Sequence, residues 1–125
     1  NVIPFQFRQL MYNILSNAFK FSRPGIAPHI TIKTKPVKYT KPNKLKLQPN
    51  IEYCHLTITD NGIGFNEQYK YHIFEIFKRL HDVEKISGTG IGLAIVKKIV
   101  DNHQGIITAS GELDKGAIFD IYLPQ

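Results

Sequence analysis

The sequence predicts an α/β fold in which amphipathic helices pack on a sheet of short strands. Two stretches, residues 5–21 and 91–103, carry apolar residues at three- and four-residue steps, which is typical of helices. Four stretches alternate between apolar and polar residues, as half-buried strands do: residues 29–37, 53–59, 106–112 and 117–123. The chain has 125 residues, which suits one domain, because a chain near this length buries about two-thirds of its unfolded surface.

The composition is that of a soluble globular protein, with 42% apolar and 21% charged residues. No apolar run approaches the roughly 18 to 20 residues that cross a bilayer, and no leader pattern is present. We therefore expect a cytoplasmic domain without direct membrane contact, although its parent protein could be membrane-anchored. The single cysteine, Cys54, is expected to be a buried small hydrophobe in a reducing compartment. Because the sequence begins at Asn1 without an initiator methionine, we expect a fragment of a longer protein.

The net charge of +6 comes from 16 basic and 10 acidic residues, and much of it lies in lysines between residues 33 and 46. A basic run can bind nucleic acid. Here the lysines alternate with prolines and asparagine, no arginine that could read bases accompanies them, and Tyr39 is the one aromatic residue that could stack on a base. The pattern favours a solvated hairpin loop at residues 38–50 and no nucleic-acid partner.

The first predicted helix carries a pair of polar residues on one face. Pro4 is tolerated at its start and Pro24-Gly25 prevents its continuation, while its apolar residues must dock on a sheet. Asn13 and Asn17 are four residues apart and point in the same direction. A single asparagine there would be an ordinary surface residue. Two poor helix formers followed by Lys20 favour the polar wall of a ligand site.

Asp60 ends the second predicted strand and enters a turn that contains Gly62 and Gly64. An Asp-Asn-Gly turn by itself is more typical of a hairpin than of a binding site. A second glycine cluster, at residues 88–92, opens the second long helix and presents backbone N–H groups at a helix start. Two glycine-rich loops in one small chain favour a flat or charged ligand.

The remaining segments complete the predicted order. A short helix can begin at Asn66 or Glu67, residues 73–80 are expected to plug the core with phenylalanines, and residues 80–89 are predicted to be a flexible lid. The second long helix is expected to end at Gly105 in a left-handed cap. We expect its inward residues to be Ile91, Ala94, Ile95, Ile99 and Val100.

Four segments, in this order, resemble the motifs of one family. Residues 13–22 resemble its N box, residues 60–65 its first glycine box, residues 74–79 its phenylalanine box and residues 88–93 its second glycine box. Residues 1–125 therefore resemble the catalytic ATP-binding domain of a sensor histidine kinase, in the superfamily that includes gyrase and the mismatch-repair ATPases. The resemblance implies a Bergerat-type fold, a two-layer sandwich with about three helices on one face of a mixed, mostly antiparallel sheet.

The resemblance also implies ATP and Mg2+ as cofactors and assigns roles to single residues. Asp60 would accept a hydrogen bond from the adenine amino group, since a carboxylate only accepts. Asn17 would bind Mg2+ through its amide oxygen. Asn13 would line the phosphate region one turn away, Lys20 would add a positive charge, and Phe21 would pack on the adenine or ribose.

The two glycine boxes and one arginine supply the other implied site residues. The second box would offer N–H groups to the β- and γ-phosphates, and Arg79 would reach the γ-phosphate or a partner domain, although an ordinary surface arginine is an equal alternative. The box residues assigned to the nucleotide are Gly62, Ile63, Gly64, Gly88, Thr89, Gly90, Ile91, Gly92 and Leu93.

Asn13 separates two subclasses of the resembled superfamily. Hydrolysing members carry a glutamate at this place to activate water, and an amide cannot take a proton. The resemblance therefore implies slow hydrolysis and transfer of the γ-phosphoryl group to a histidine on a separate dimerisation domain, for relay to an aspartate of a response regulator. None of the five histidines of this chain has the sequence context of that acceptor. The isolated domain is expected to be a monomer.

Two alternatives remain from other functional classes. One is a nucleotide-binding interaction module that has kept the pocket and lost transfer. The other is an ATP-driven conformational ATPase, against which the amide at Asn13 weighs.

Overall fold

The computed structural model describes residues 2–41, 44–66, 68, 73–74 and 89–125. Each predicted long helix and strand is present, and its ends lie within two residues of the predicted ones. The elements in chain order are α1 (Pro4–Lys20), β1 (Ile30–Lys38), β2 (Glu52–Asp60), α2 (Thr89–Asn102), β3 (Ile106–Glu112) and β4 (Gly116–Pro124).

The four strands form one sheet in the order β1-β2-β4-β3, and every neighbouring pair is antiparallel. The predicted α/β sandwich with helices on a mostly antiparallel sheet is confirmed. The described strands contain no parallel pair, and the described part of the chain has two helices where about three were expected. The predicted short helix falls largely outside the described residues, as do residues 75–79 and the predicted lid over residues 80–88.

The core lies between the two helices and one face of the sheet. Residues paired across antiparallel strands share a face, so Ile58, Ile32 and Phe119 point the same way, as do Leu56 and Ile121. This face meets the helices in one cluster, which includes Leu10, Ile14, Leu56, Ile58, Val96, Val100, Phe119 and Ile121. Asp60 continues the same alternation, so its side chain emerges on the helix side of the sheet.

The buried face of each helix differs in part from the predicted one. In α1, Leu10, Ile14 and Ala18 are buried as predicted, and Leu15 is half-buried. In α2, Ile99 and Val100 are buried as predicted. Leu93 and Val96 are also buried, whereas Ala94 and Ile95, which were expected to point inward, are half-buried. Because α2 is apolar over most of its circumference, its sequence period does not select one face.

A second apolar cluster covers the opposite face of the sheet. Leu47 is 2% exposed and packs with Tyr53 and Tyr122 beneath the β1–β2 loop, and Asn50 N–H donates to the carbonyl of Tyr39 at 2.7 Å. The prediction of a solvated loop is therefore correct for its described lysines, which are exposed, and wrong for its backbone course, which is anchored. Lys46, with φ of 62°, turns outward between two leucines.

α2 ends in a Schellman motif whose left-handed residue is Gln104, with φ of 56°, and the prediction of a left-handed Gly105 is wrong. Gly105 N–H donates to the Val100 carbonyl at 2.9 Å and Gln104 N–H to the Asp101 carbonyl at 3.0 Å, which is the bonding pattern of that motif. Gly105 is required for another reason. A Cβ there would collide with the carbonyl oxygen of Tyr122.

The start of α1 is tied to the end of α2. Ile3 N–H donates to His103 Nε2 at 2.9 Å, and His103 Nδ1 lies 2.9 Å from the Ile99 carbonyl oxygen. Since the two helices also pack against each other, they run in opposite directions. The N-terminus of α2 therefore lies towards the C-terminal end of α1. Neither described helix has the length and apolar content that a membrane span needs.

Candidate functional site

Asp60 is held by one of its two carboxylate oxygens. Oδ1 accepts the N–H of Gly62 at 2.9 Å and the N–H of Ala117, on the neighbouring strand, at 3.3 Å. The side chain is half-buried. Oδ2 has no hydrogen-bond partner within the part of the chain that the structure describes. The carboxylate is thus fixed in direction and keeps one acceptor atom for a ligand.

The turn after Asp60 packs directly on the end of α1. Ile63 N–H donates to the carbonyl of Phe21, the C-cap of α1, at 2.8 Å. A Cβ added to Gly62 would lie 2.5 Å from the same carbonyl oxygen, closer than real side chains approach. Gly62 therefore lets the helix that carries the paired asparagines reach the turn that carries Asp60.

The β3–β4 hairpin closes the turn from the other side. Asp114 N–H donates to the Ile63 carbonyl at 2.8 Å, and Gly64 has φ of 67° where a Cβ would meet the Glu112 carbonyl. At both glycines, the space that a Cβ would need is therefore filled by backbone atoms of the same chain. Contact of either glycine with a nucleotide stays a prediction.

Asn13 and Asn17 each carry a buried amide nitrogen, Nδ2, without a hydrogen-bond partner among the described residues. A buried polar group that loses its water and gains no partner is destabilising by about 1–3 kcal/mol, so such groups are rare in folded proteins. The two asparagine nitrogens are one helical turn apart and can donate to an acceptor-rich group, and Gln6 Oε1 of the same helix is a third such buried atom. Contact of the asparagines with a phosphate stays a prediction.

Mg2+ fits this donor set only if the nucleotide provides most of its ligands. Among the described residues no three histidine, cysteine or acidic side chains converge to form a metal cage. Mg2+ typically keeps several waters and takes one or two protein oxygens plus phosphate oxygens. The amide oxygen of Asn17 suits that role, with the buried amides beside it left for the phosphates.

The other predicted site residues that the structure describes lie at the C-terminal end of α1 and in the first turns of α2. Lys20 is exposed in the last turn of α1, and Phe21 is half-buried at its end. The predicted residues Thr89, Gly90, Ile91 and Gly92 form the first turn of α2, at the end of the helix pair that also holds Asn17. Leu93 is 4% exposed in the core, so a contact with a nucleotide would come from its backbone. Gly88 and Arg79 lie outside the described residues.

Arg23 and Asn61 are structural parts of the site that the sequence did not reveal. Arg23 donates from Nε to the Asn61 carbonyl at 2.9 Å and from Nη1 to the Asp114 carbonyl at 2.7 Å, so it clamps the turn to the hairpin. The Asn61 side chain accepts the His29 N–H at 2.8 Å and donates to the Ala27 carbonyl at 3.1 Å. The only sequence signal is an arginine just past a helix end, which does not identify its acceptors.

The basic side chains of the chain are concentrated in the first part of its sequence. Residues 1–51 contain no aspartate or glutamate, and all ten acidic residues follow from Glu52 onward. The first 51 residues hold nine cationic side chains: Arg8, Lys20, Arg23, Lys33, Lys35, Lys38, Lys41, Lys44 and Lys46. Most of these lysines lie in β1 and the β1–β2 loop, towards the end of the sheet away from Asp60, and Lys20 and Arg23 are the cations near the Asp60 turn.

Known proteins resemble the chain over nearly its whole length. Residues 3–125 match the family described as histidine kinase-, DNA gyrase B- and HSP90-like ATPases. The chain is 37% identical over 119 residues to Cyanobacterial phytochrome A of Nostoc sp.. This match covers 95% of this chain and 14% of that protein. The chain is 33% identical to Sensor protein RprX of Bacteroides fragilis, with 92% and 20% covered. The chain thus spans a fifth or less of the length of these two relatives.

Solved structures share the fold. The mycobacterial sensor histidine kinase MprB is 28% identical with a TM-score of 0.68, and the match covers 93% of this chain and 68% of that one. Full-length ShkA in complex with AMPPNP is 25% identical with a TM-score of 0.70, with 95% and 21% covered.

Proposed function

The chain belongs to the family of histidine kinase-, DNA gyrase B- and HSP90-like ATPases, and from this we propose that residues 1–125 are the ATP- and Mg2+-binding catalytic domain of a sensor histidine kinase. The domain transfers the γ-phosphoryl group of ATP to a histidine on a separate dimerisation domain, from which it passes to an aspartate of a response regulator. The observation that carries the proposal is the contact between the Asp60 turn and the end of α1. It joins an open carboxylate oxygen to the helix that bears two unpartnered amides.

Adenine recognition follows from the geometry of Asp60. Its Oδ1 is occupied by two backbone N–H groups, so Oδ2 accepts from the exocyclic amino group of the purine. A carboxylate in this position discriminates against a carbonyl edge, because two acceptors facing each other leave both without a hydrogen. Phe21 provides an apolar surface beside it. The nucleotide analogue AMPPNP in the related ShkA structure supports a nucleotide at this fold.

The phosphates lie along the C-terminal half of α1 in this proposal. The Asn13 and Asn17 amides and the Lys20 ammonium face them, and the first turn of α2 directs its backbone N–H groups and the positive end of its dipole to the β- and γ-phosphates. Mg2+, held by the Asn17 amide oxygen, would neutralise charge on the phosphate oxygens. Arg79 and Gly88 are proposed to contact the γ-phosphate.

Transfer is favoured over hydrolysis because Asn13 has no basic atom. An amide orients a phosphate or a water but does not remove its proton. Phosphoryl transfer depends mainly on positioning and on charge neutralisation, and the described residues supply both. The acceptor side chain and the nucleophile's base then come from the partner domain.

The substitution Asp60→Asn tests the nucleotide site. An asparagine keeps the Oδ1 acceptor for Gly62 and Ala117 but replaces Oδ2 by an amino group, which faces the adenine donor. We expect ATP affinity, measured by calorimetry, to fall at least roughly tenfold, which is the loss of one charged hydrogen bond, with an unchanged circular dichroism spectrum.

Asp120→Asn is the matched control for this substitution. Asp120 lies on the neighbouring strand but on the opposite face of the sheet, paired with Thr57 in register and 2.8 Å from His55 Nε2. Its substitution should leave ATP affinity unchanged. Equal ATP affinities of the wild type and the Asp60→Asn variant would refute the proposed nucleotide site.

Labelled ATP distinguishes the reaction from its alternatives. The experiment uses the chain joined to the helical region of its parent protein. A histidine kinase is expected to give label on the protein that is labile in acid and stable in base. Tight nucleotide binding without any label would indicate an interaction module, and free phosphate without labelled protein would indicate an ATPase.

A further inference from the structure

Helix α1 displays a row of large aromatic side chains to solvent. Phe5, Tyr12 and Phe19 are 70%, 70% and 60% exposed, and they are spaced seven residues apart. Seven residues are almost two helical turns, with a drift of about 20°, so the three rings form one stripe. They face away from Leu10 and Ile14, which are buried in the core. Contiguous exposed apolar patches on a soluble domain mark interaction sites.

We propose that this aromatic stripe, Phe5, Tyr12 and Phe19, is the docking surface for an acidic amphipathic helix of the phosphoacceptor domain. The inference rests on the proposed function and identifies the part of the molecule that positions the acceptor. An α-helix fits because side chains seven residues apart form a row nearly parallel to the axis of α1, so a partner helix lying along that row contacts all three rings. The stripe spans about 21 Å along α1, long enough for four turns of a partner helix.

The charge of α1 specifies the partner's chemistry. α1 (Pro4–Lys20) contains Arg8 and Lys20, both exposed, and no acidic residue. Arg8 lies between Phe5 and Tyr12 along the stripe. A partner helix with carboxylates beside its apolar row would pair with Arg8, whereas a basic helix would be repelled.

The stripe lies beside the proposed phosphate site. Tyr12 immediately precedes Asn13, and Phe19 immediately precedes Lys20, so each aromatic residue is about 100° around the helix from a residue of the polar face. A helix docked on the stripe would hold an acceptor side chain close to the terminal phosphate. Fixing two reactants in this way contributes a large share of the rate of a transfer reaction.

The test uses the parent protein, with the variants Tyr12→Ala, Phe19→Ala and Arg8→Glu. We expect the initial rate of protein labelling by ATP to fall at least roughly tenfold in each aromatic variant, as for central interface residues, and also to fall in Arg8→Glu but not in Arg8→Lys. ATP affinity should stay within about twofold of wild type. The matched control is Leu113→Ala, which removes an apolar side chain that is 58% exposed and lies outside the stripe. This variant should be labelled at the wild-type rate.

Two readouts keep this inference separate from the proposed function. Oxidative footprinting of Phe5, Tyr12 and Phe19 should show protection in the parent protein and full reactivity in the isolated chain, whether or not transfer occurs. Protection without labelling would sustain the docking surface and refute the kinase assignment. Labelling with no protection, at rates that the variants do not change, would refute the docking surface.

A second copy of the chain is the competing occupant. Sedimentation of the isolated chain is expected to show a monomer. A dimer that Tyr12→Lys dissociates would overturn the proposal, because the stripe would then be an interface between copies. Tyr12→Lys also serves as a second, helix-compatible variant in the labelling assay, where it is expected to match Tyr12→Ala.

Discussion

At the scale of single residues, Gly62 determines whether α1 can reach the Asp60 turn. In Gly62→Ala the new Cβ would lie 2.5 Å from the Phe21 carbonyl oxygen and 3.1 Å from Asp60 Oδ1. The nearest atom is backbone, so the end of α1 must move. We expect the free energy of unfolding, measured by urea denaturation, to fall by about 1–3 kcal/mol, together with ATP affinity.

Gly25→Ala is the control for the glycine at position 62. No atom lies within 4 Å of a Cβ there, and only its φ of 77° opposes the substitution. It should be destabilising by about 1 kcal/mol and leave ATP affinity intact. If both variants bound ATP equally well, the contact with Phe21 would have no part in shaping the site.

Tyr122 gives the domain a predicted alkaline sensitivity. Burial, then the nearby Asp120 and then Tyr39, raise the pKa of the Tyr122 phenol above its ordinary value of 10.0. The folded state therefore holds this proton more tightly than the unfolded state does. Its contribution to stability is complete below pH 10 and is lost as the pH rises through the raised pKa. Denaturation between pH 8 and 11 should show a smaller alkaline loss in Tyr122→Phe than in wild type. Identical losses would contradict the prediction.

The sequence indicated candidate residues for the site better than it indicated how the fold holds them. Asp60, Asn13 and Asn17 were predicted because a strand-end carboxylate and two asparagines at helical spacing are unusual choices that a ligand explains. Arg23 was missed because its acceptors are backbone carbonyls, which leave no trace in the sequence. The fit of Gly62 against Phe21 was also not predictable, since it joins parts of the chain about forty residues apart.

At the scale of elements, the anchored β1–β2 loop depends on one leucine. Leu47 is 2% exposed and fills the cluster above Tyr53 and Tyr122. Leu47→Ala would leave a cavity, and we expect the free energy of unfolding to fall by about 2–4 kcal/mol. ATP affinity should not change, because this cluster lies on the face of the sheet opposite Asp60.

Leu113→Ala provides the reference for the leucine at position 47, since its side chain is 58% exposed and its loss should change stability by less than about 0.5 kcal/mol. Equal stabilities of the two variants would mean that the loop does not depend on the cluster.

The hydrophobic periodicity of the sequence predicted the helices and strands. It did not predict which residues are buried where apolar residues surround a helix or occur singly in a loop. Strands and helices were found because alternation and three- to four-residue steps reflect which side is buried. The inward face of α2 was assigned correctly at Ile99 and Val100 and only in part at Ala94 and Ile95, because apolar residues occupy most of its surface. Leu47 was overlooked because one leucine among lysines and prolines has no period at all.

At the scale of the whole molecule, the net charge of the chain predicts how salt affects binding. With a net charge of +6, the domain attracts the polyphosphate over a distance that salt shortens. Between 0.05 and 0.5 M salt we expect ATP affinity to fall by roughly tenfold.

Adenosine is the control for this effect, because it keeps the base that Asp60 is proposed to contact and lacks the phosphates. Its affinity should be nearly independent of salt. Parallel salt curves for ATP and adenosine would mean that the charge of the chain does not act on the phosphates.

The position of β4 in the sheet has a consequence for biosynthesis. β4 follows the other three described strands in the sequence, yet it lies between β2 and β3 and is the only link between them among the described strands. A nascent chain that has not yet released residues 116–124 from the ribosome therefore has the β1–β2 pair and β3 as separate pieces, each with an apolar face and an open edge. The sheet of these four strands can be completed only after translation has passed residue 124.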